Sequence, residues 1–401
     1  MSGMTEKHGQ DGMDELTRRL LTPRAFFIGL ILGFGACCVL GRLAPARSSF
    51  RDFQRFHTSI NPEGLYFPTA LQVRTLARRK LPQDKIAVIV GGSSVMQGIG
   101  QSEGALWTRR LQELLGDEYC VLNLAMPGGV PTEYGQSVAE MLLRERGRII
   151  HVCDCYIHCF SPFPDGYREI YHYLHYDMRA RGLLLPCPER DEALKALEAS
   201  RAADQRHSEV EIQARANGWC SFNDLWHVIG YRYVFTIWNR TTPQQPFQAR
   251  RRVAEVKRAG PKYLYEHYDL DMEEKWIRGA AAPFDDAAWA RFELQVRQSV
   301  PEKMRPKTLA VVNRFSPYYF RVLRDKDPDL EARFLHKIRL TVSHLRACGL
   351  HAVEGCTTLD ESDFMDRCHL LKSGGEKLAH ELAPAIRQLA EQLGYVADGQ
   401  P

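Results

Sequence analysis

Neither sign of charge prevails in this chain: 53 Lys and Arg stand against 49 Asp and Glu, a formal net charge of +4 over 401 residues. Such a balance excludes the strong basic field with which nucleic-acid-binding proteins neutralise phosphates. No zinc-finger spacing and no Gly-Lys-Ser/Thr phosphate loop is present to argue otherwise. There is also no internal repeat and no low-complexity tract, so solenoid and fibrous architectures fall away. Of the 11 cysteines, Cys37 and Cys38 lie in an apolar run and an odd number remains elsewhere. That pattern lacks the even, regular spacing of a disulfide framework. What remains, 44% hydrophobic and 25% charged residues, is a globular composition able to bury one large core or two smaller ones.

A long uncharged run occurs once, from Ala25 to Gly41, bracketed by Arg24 and Arg42. Its length is close to the ~17 to 25 residues of a spanning helix, which predicts a membrane anchor. Ala44-Pro45-Ala46 loosely resembles a signal cleavage site, but the leading segment carries Asp11, Asp14 and Glu15, which suits an uncleaved anchor better. Arg18, Arg19 and Arg24 on one side face Arg42, Arg47, Arg51 and Arg55 on the other, so charge leaves the orientation open. Gly29 and Gly33 form a small-xxx-small pair of the kind that packs on another helix.

The rest predicts a polar tail over 1–24, the anchor at 25–41, a connecting segment over 42–80, and a discontinuous α/β domain over 81–159 and 305–395. Strands are expected at 86–90, 119–124, 148–156, 308–312 and 350–353, with helices at 104–115, 132–145, 328–347 and 374–393. The β-α-β-α-β rhythm of the first half implies a parallel sheet. Between the halves, 160–304 lacks strand alternation and reads as a helical insertion or lid, with a charged helical run from Pro188 to Glu211. Its aromatics, among them Tyr167, Tyr171, Tyr173, Trp219, Trp226 and Trp238, suit the insertion's own core better than a set of sugar platforms. Lys372 and the basic cluster at 250–252 read as solvated surface.

Two segments carry chemistry. After the β-branched run Ile86-Ala-Val-Ile-Val90, the sequence Gly91-Gly92-Ser93-Ser94 turns sharply and presents a hydroxyl at a strand end. Near the C-terminus, Asp366-Arg-Cys-His369 places an acid three residues before a histidine, so one loop can orient an imidazole against a serine. Each alone is more often a helix cap or a packed histidine; together and in this order they predict a serine nucleophile, with Ser93 and Ser94 both open as the nucleophile. The cluster His151, Cys153, Asp154, Cys155, His158 and Cys159 suggests metal ligation at first sight. In an extended strand, however, its side chains alternate between faces and Cys-x-Cys is not the usual zinc spacing, so a buried strand is expected and no metal or cofactor.

With these residues in place, the chain resembles the SGNH hydrolase superfamily, also called GDSL-like esterases. The resemblance implies a flavodoxin-like three-layer α/β fold. Gly92-Ser93-Ser94-x-x-x-Gly98 is similar to the family's nucleophile block, with Ser94 in the serine position and Ser93 in place of aspartate. Asn123-Leu-Ala-Met-Pro127-Gly128 is similar to the second block, which implies oxyanion donation from the backbone N–H of Gly128 alongside that of Ser94. Asp366-x-x-His369-Leu370 matches the last block. The third block's asparagine is absent, since strand three runs on into Tyr156-Ile-His158-Cys-Phe-Ser161; His158, Ser161 and Asn313 are the candidates to replace it, and Ser93 and Asn123 join His158 and Asn313 as candidate substrate-binding residues. An N-terminal span and Gly-Ser-Ser also resemble the superfamily's extracytoplasmic acyl-transfer members, of the D-alanyl-lipoteichoic acid and alginate O-acetylation type, which work beside membrane-bound O-acyltransferases.

The reading that follows is a single-pass membrane protein with a periplasmic or cell-surface domain, transferring an acyl group to a cell-envelope glycan, or removing one, through an acyl-serine. Its partners would be an acyl donor, a glycan or lipid acceptor and a membrane-bound acyltransferase. A non-catalytic scaffold or glycan-binding subunit, and a membrane-tethered lipase or thioesterase, are the alternatives.

Overall fold

The computed structural model describes residues 23–43, 74, 77–78, 81–101, 103–125, 134–155, 178–179, 181–200 and 270–396. Its centre is a five-stranded, wholly parallel sheet: β1 (Ile86–Val90), β2 (Tyr119–Asn123), β3 (Ile149–Asp154), β4 (Thr308–Asn313) and β5 (His351–Gly355). The predicted strands fall within a few residues of these bounds. Every residue of β1 and β3 is buried, as expected of strands covered on both faces, whose sequences run apolar rather than alternating.

The strand order is 2-1-3-4-5, an open doubly wound arrangement that reverses direction between β1 and β3. Right-handed crossovers then dictate the layers. Helix α3 (Trp107–Leu115) and helix α10 (Lys372–Gln392) pack together on one face, and α4 (Tyr134–Leu143) and α9 (Leu330–Ala347) cover the other. Four side-chain or backbone positions that matter below, Asn123, Asp154, Asn313 and Gly355, all close their strands at the C-terminal edge.

The described part of the insertion is helical, as expected: α5 (Pro188–Ser200), α6 (Leu270–Ala281) and α7 (Asp286–Ser299). Residues 201–269 lie outside the described residues, and with them the second half of the predicted helix to Glu211 and the aromatics Trp219, Trp226 and Trp238. The insertion is bound to the α/β body by a buried ion pair. Arg190 of α5 makes bonds of 2.8 and 3.1 Å to the two carboxylate oxygens of Glu140 in α4.

The predicted anchor lies in a 21-residue helix, α1 (Pro23–Leu43). Phe26, Phe27, Ile28, Leu30, Ile31, Leu32 and Phe34 of this helix are all exposed. Among the described residues no helix is long and apolar enough to cross a membrane, so the span is not supported there. The side chains of α1 beyond Ala36 fall outside the described residues.

Candidate active site

The turn after β1 is built around a buried carboxylate. The chain follows β3 as far as Gly91, whose N–H donates to the carbonyl of Val152 at 2.8 Å. It then leaves the sheet through Gly92 at φ +96°, where an added Cβ would stand 2.2 Å from Asp154 Oδ1. Both the backbone angle and the space therefore call for glycine. Asp154 accepts the Ser93 N–H at Oδ1, 2.8 Å away, and the Ser93 hydroxyl at Oδ2. The same Ser93 oxygen accepts the Val95 N–H at 3.2 Å, capping the short helix α2 (Ser94–Gln97). Ser93 is thus buried, with its hydroxyl held by Asp154 and Val95, and Ser94 is the more accessible of the two serines.

Ser94, the first residue of α2, is partly exposed. Its backbone N–H belongs to the helix-start donors that have no intrahelical acceptor. The far end of α2 is held by two donors on one carbonyl: Trp107 Nε1 and Asn123 Nδ2 reach Met96 O at 2.7 and 3.1 Å. Asn123 Oδ1 accepts the Ala125 N–H at 3.1 Å, and its amide also lies 3.4 Å from Thr108 Oγ1. Asn123 is fully buried. Its amide is committed to Met96, Thr108 and Ala125, holding the helix that begins at Ser94.

Asp366 and His369 arrive on a tight loop after β5. Phe364 and Leu370, both fully buried, form an isolated antiparallel bridge that pins the loop's ends. Inside it, Asp366 Oδ1 accepts the N–H groups of Cys368 and His369 at 2.9 and 2.8 Å, the local turn that a short acidic side chain makes with its own backbone. Gly100, at φ +94°, lets the nucleophile loop lie against this one, since a Cβ there would stand 2.7 Å from the Leu370 carbonyl. Gln101 bridges the two loops, accepting the Trp107 N–H at 2.8 Å and reaching Leu370 O at 3.4 Å.

These supports bring three predicted residues together in line. His369 Nδ1 is 2.6 Å from Asp366 Oδ2, and His369 Nε2 is 2.7 Å from Ser94 Oγ. With Nδ1 donating to the carboxylate, the neutral ring has its free lone pair on Nε2, facing the serine hydroxyl. Burial opposes the charged form of Asp366, but the His369 charge and the backbone N–H bonds outweigh it and hold this carboxyl below its ordinary range. Burial likewise opposes the imidazolium; the Cys368 sulfur and the Asp366 carboxylate outweigh it and raise His369 well above its usual value.

In comparisons with known proteins, no family model matches this chain and no curated protein matches it significantly.

Of the remaining expectations, Gly128, His158 and Ser161 lie outside the described residues. Asn313 closes β4 beside Gly355 and accepts the Cys356 thiol at 3.5 Å. Its buried Nδ2 has no hydrogen-bond partner among the described residues. Of the cysteine cluster, His151, Cys153 and Asp154 lie in β3 and Cys155 just past it, with both thiols buried and free, while His158 and Cys159 lie outside the described residues. Nearby, His151 is buried without a partner among the described residues, and burial pushes it down to about 3, so it is neutral. One group of potential metal donors exists among the described residues, Asp366, Cys368 and His369, with donor atoms within 4.8 Å of one another. Their short Asp366–His369 hydrogen bond already accounts for the closeness.

Asp154, Gln101 and Thr108 were not anticipated as parts of the site. For Asp154 there was a signal, the lone acid closing a buried, largely apolar strand; for the other two, ordinary polar residues near helix starts, there was none.

Proposed function

We propose that this chain is a serine acyl-ester enzyme whose nucleophile is Ser94. The observation that carries the reading is the aligned Ser94–His369–Asp366 set, with bonds of 2.7 and 2.6 Å at the C-terminal edge of a doubly wound sheet, beside the point where strand order reverses. That edge is where open α/β sheets bind their ligands.

The chemistry follows from the geometry. His369 Nε2 takes the hydroxyl proton as Ser94 Oγ attacks an ester carbonyl, and the imidazolium is stabilised by Asp366. The Ser94 N–H receives the developing oxyanion, with a second donor assigned to Gly128 by family resemblance. As the tetrahedral centre collapses, the bond to the leaving oxygen breaks and His369 returns the proton to it, leaving an acyl-serine. Water or an acceptor hydroxyl, deprotonated by the same ring, then attacks the acyl carbon and restores Ser94.

The acyl class and acceptor rest on the resemblance to SGNH-type enzymes: transfer of an acetyl-type group to, or its removal from, a cell-envelope glycan, in company with a membrane-bound O-acyltransferase. The anchor and the extracytoplasmic placement of the domain belong to the same proposal. What supports the anchor is the set of exposed apolar side chains of α1 from Phe26 to Phe34; the placement of the domain rests on the resemblance alone.

The test is fluorophosphonate labelling and p-nitrophenyl acetate hydrolysis by the purified full chain. Labelling and turnover lost in Ser94→Ala and His369→Ala, with labelling kept in Ser93→Ala, is the expected result. Equal labelling of wild type and Ser94→Ala, or turnover that survives Ser94→Ala, would sink it.

A further inference from the structure

Asp154 stands outside the nucleophile, base and acid of the site, yet it is 2% exposed. A carboxylate without water needs hydrogen bonds and a compensating charge. Ser93 gives it two hydrogen bonds, through the N–H at 2.8 Å and through the hydroxyl, and its own backbone N–H adds to them. They replace the sheet pairing that β1 loses on leaving β3 at Gly91, so the course of the chain immediately before Ser94 is set by a side chain. Glycine at 92 is what gives this carboxylate its room, since an added Cβ there would stand 2.2 Å from Oδ1.

The charged and titratable groups that bear on Asp154 come from each neighbouring element. They are the Cys153 thiol on its own strand, the Cys356 thiol at the end of β5, and His369 on the base loop. Of these, His369 alone can supply positive charge. Burial lifts the Asp154 carboxyl to about 6, the Ser93 bonds and His369 working against that rise. The group is therefore ionised at neutral pH and above.

We propose that Asp154 is a positioning residue: its carboxylate clamps the Ser93 turn so that Ser94 Oγ faces His369, and it adds a second negative charge within electrostatic reach of the imidazolium. The proposal rests on Ser94 acting as nucleophile. Asp366 orients the ring through Nδ1, whereas Asp154 acts through Ser93 on the other partner of the proton transfer. A neutral ring whose protonated form is stabilised by two carboxylates takes the serine proton more readily than one whose cation is served by a single carboxylate.

The experiment uses the full chain in detergent, with the His369 titration followed by imidazole NMR and assigned with His369→Gln. Asp154→Asn keeps the shape and removes a buried charge, so it is expected to fold, as checked by circular dichroism and thermal midpoint. Its His369 midpoint is expected to fall by about half a pH unit or more, as for loss of a nearby anion. Its kcat for p-nitrophenyl acetate should drop about tenfold or more with KM nearly unchanged, the mark of a group acting on the proton-transfer step. Ser93→Ala, measured above pH 8, keeps the charge and loses half the clamp: kcat falls while the His369 midpoint stays. A His369 midpoint that does not move in folded Asp154→Asn overturns the proposal even where Ser94 labels normally. Should Asp154→Asn fail to fold, unchanged kcat in Ser93→Ala overturns the clamp. Wild type with neither labelling nor turnover removes the serine-enzyme reading itself, and this proposal with it.

Discussion

At His369 the fold sets an imidazole between the Asp366 carboxylate and a serine hydroxyl, with bonds of 2.6 and 2.7 Å, and the proposed reaction makes that ring the proton acceptor. A base works only when neutral, and a ring whose value is raised well above 6.5 is still protonated where an ordinary histidine is free. The kcat/KM profile is therefore expected to rise with pH along a limb displaced to the alkaline side of 6.5, and Asp366→Asn should move that limb to lower pH. The same variant should reduce kcat/KM by about 10³ to 10⁴, because the ring loses both its charge partner and its tautomer. A limb at or below pH 6.5 in wild type would contradict the electrostatics described for this loop. Ser94, Asp366 and His369 were readable from the sequence because each sits in a local pattern: glycines before a serine, an acid three residues before a histidine. The fate of Ser93 and Asn123 was not readable. Both are polar residues near strand ends, and only their tertiary partners, Asp154 for one and the Met96 carbonyl for the other, show where their polar atoms are committed.

Among the elements, strands and long helices were legible for the usual reason that apolar runs and helical periodicity are properties of contiguous sequence. Helix α8 (Pro317–Leu323) was not foreseen. Its Pro-Tyr-Tyr-Phe start puts proline where a helix tolerates it, but follows it with aromatics that favour strands. Packing overrides that preference: Tyr319 and Phe320 are buried, and Phe320 lies 5.1 Å from Phe334 of α9. The insertion reaches the base loop directly, since Glu273 of α6 pairs with Arg367 at 2.5 Å, so α6 supports the segment that carries Asp366 and His369. Its other attachment, Arg190 to Glu140, has both side chains almost wholly buried, at 4% and 0% exposure. Glu140→Ala would leave that guanidinium in the interior without its partner, and is expected to cost about 3 to 5 kcal/mol in denaturant unfolding. A loss below about 1 kcal/mol, the range of an exposed pair, would mean that the insertion is not held there.

For the whole molecule, the proposed anchor makes the most direct prediction. The full chain should remain with membranes after alkaline carbonate extraction. Ile31→Asp with Leu32→Lys should release it, as two charges at the middle of a span cost about 2.5 to 3.5 kcal/mol each. Release of the unaltered chain by carbonate would remove the anchor from the reading. Protection or digestion of the folded domain by protease added outside intact cells would give the orientation that the arginines on the two sides of 25–41 leave undecided. The sequence by itself determined the strands, the principal helices, the helical character of the described insertion and the identities of Ser94, Asp366 and His369, because runs of apolar side chains, turn glycines and short-range acid–histidine spacing express themselves within a few residues. The tertiary structure alone decided the 2-1-3-4-5 order, the meeting of Ser94 with a histidine 275 positions away, and the buried Asp154 beneath Ser93. Parallel pairing, buried-charge compensation and nucleophile alignment depend on which distant segments share a sheet edge, and no local pattern records that.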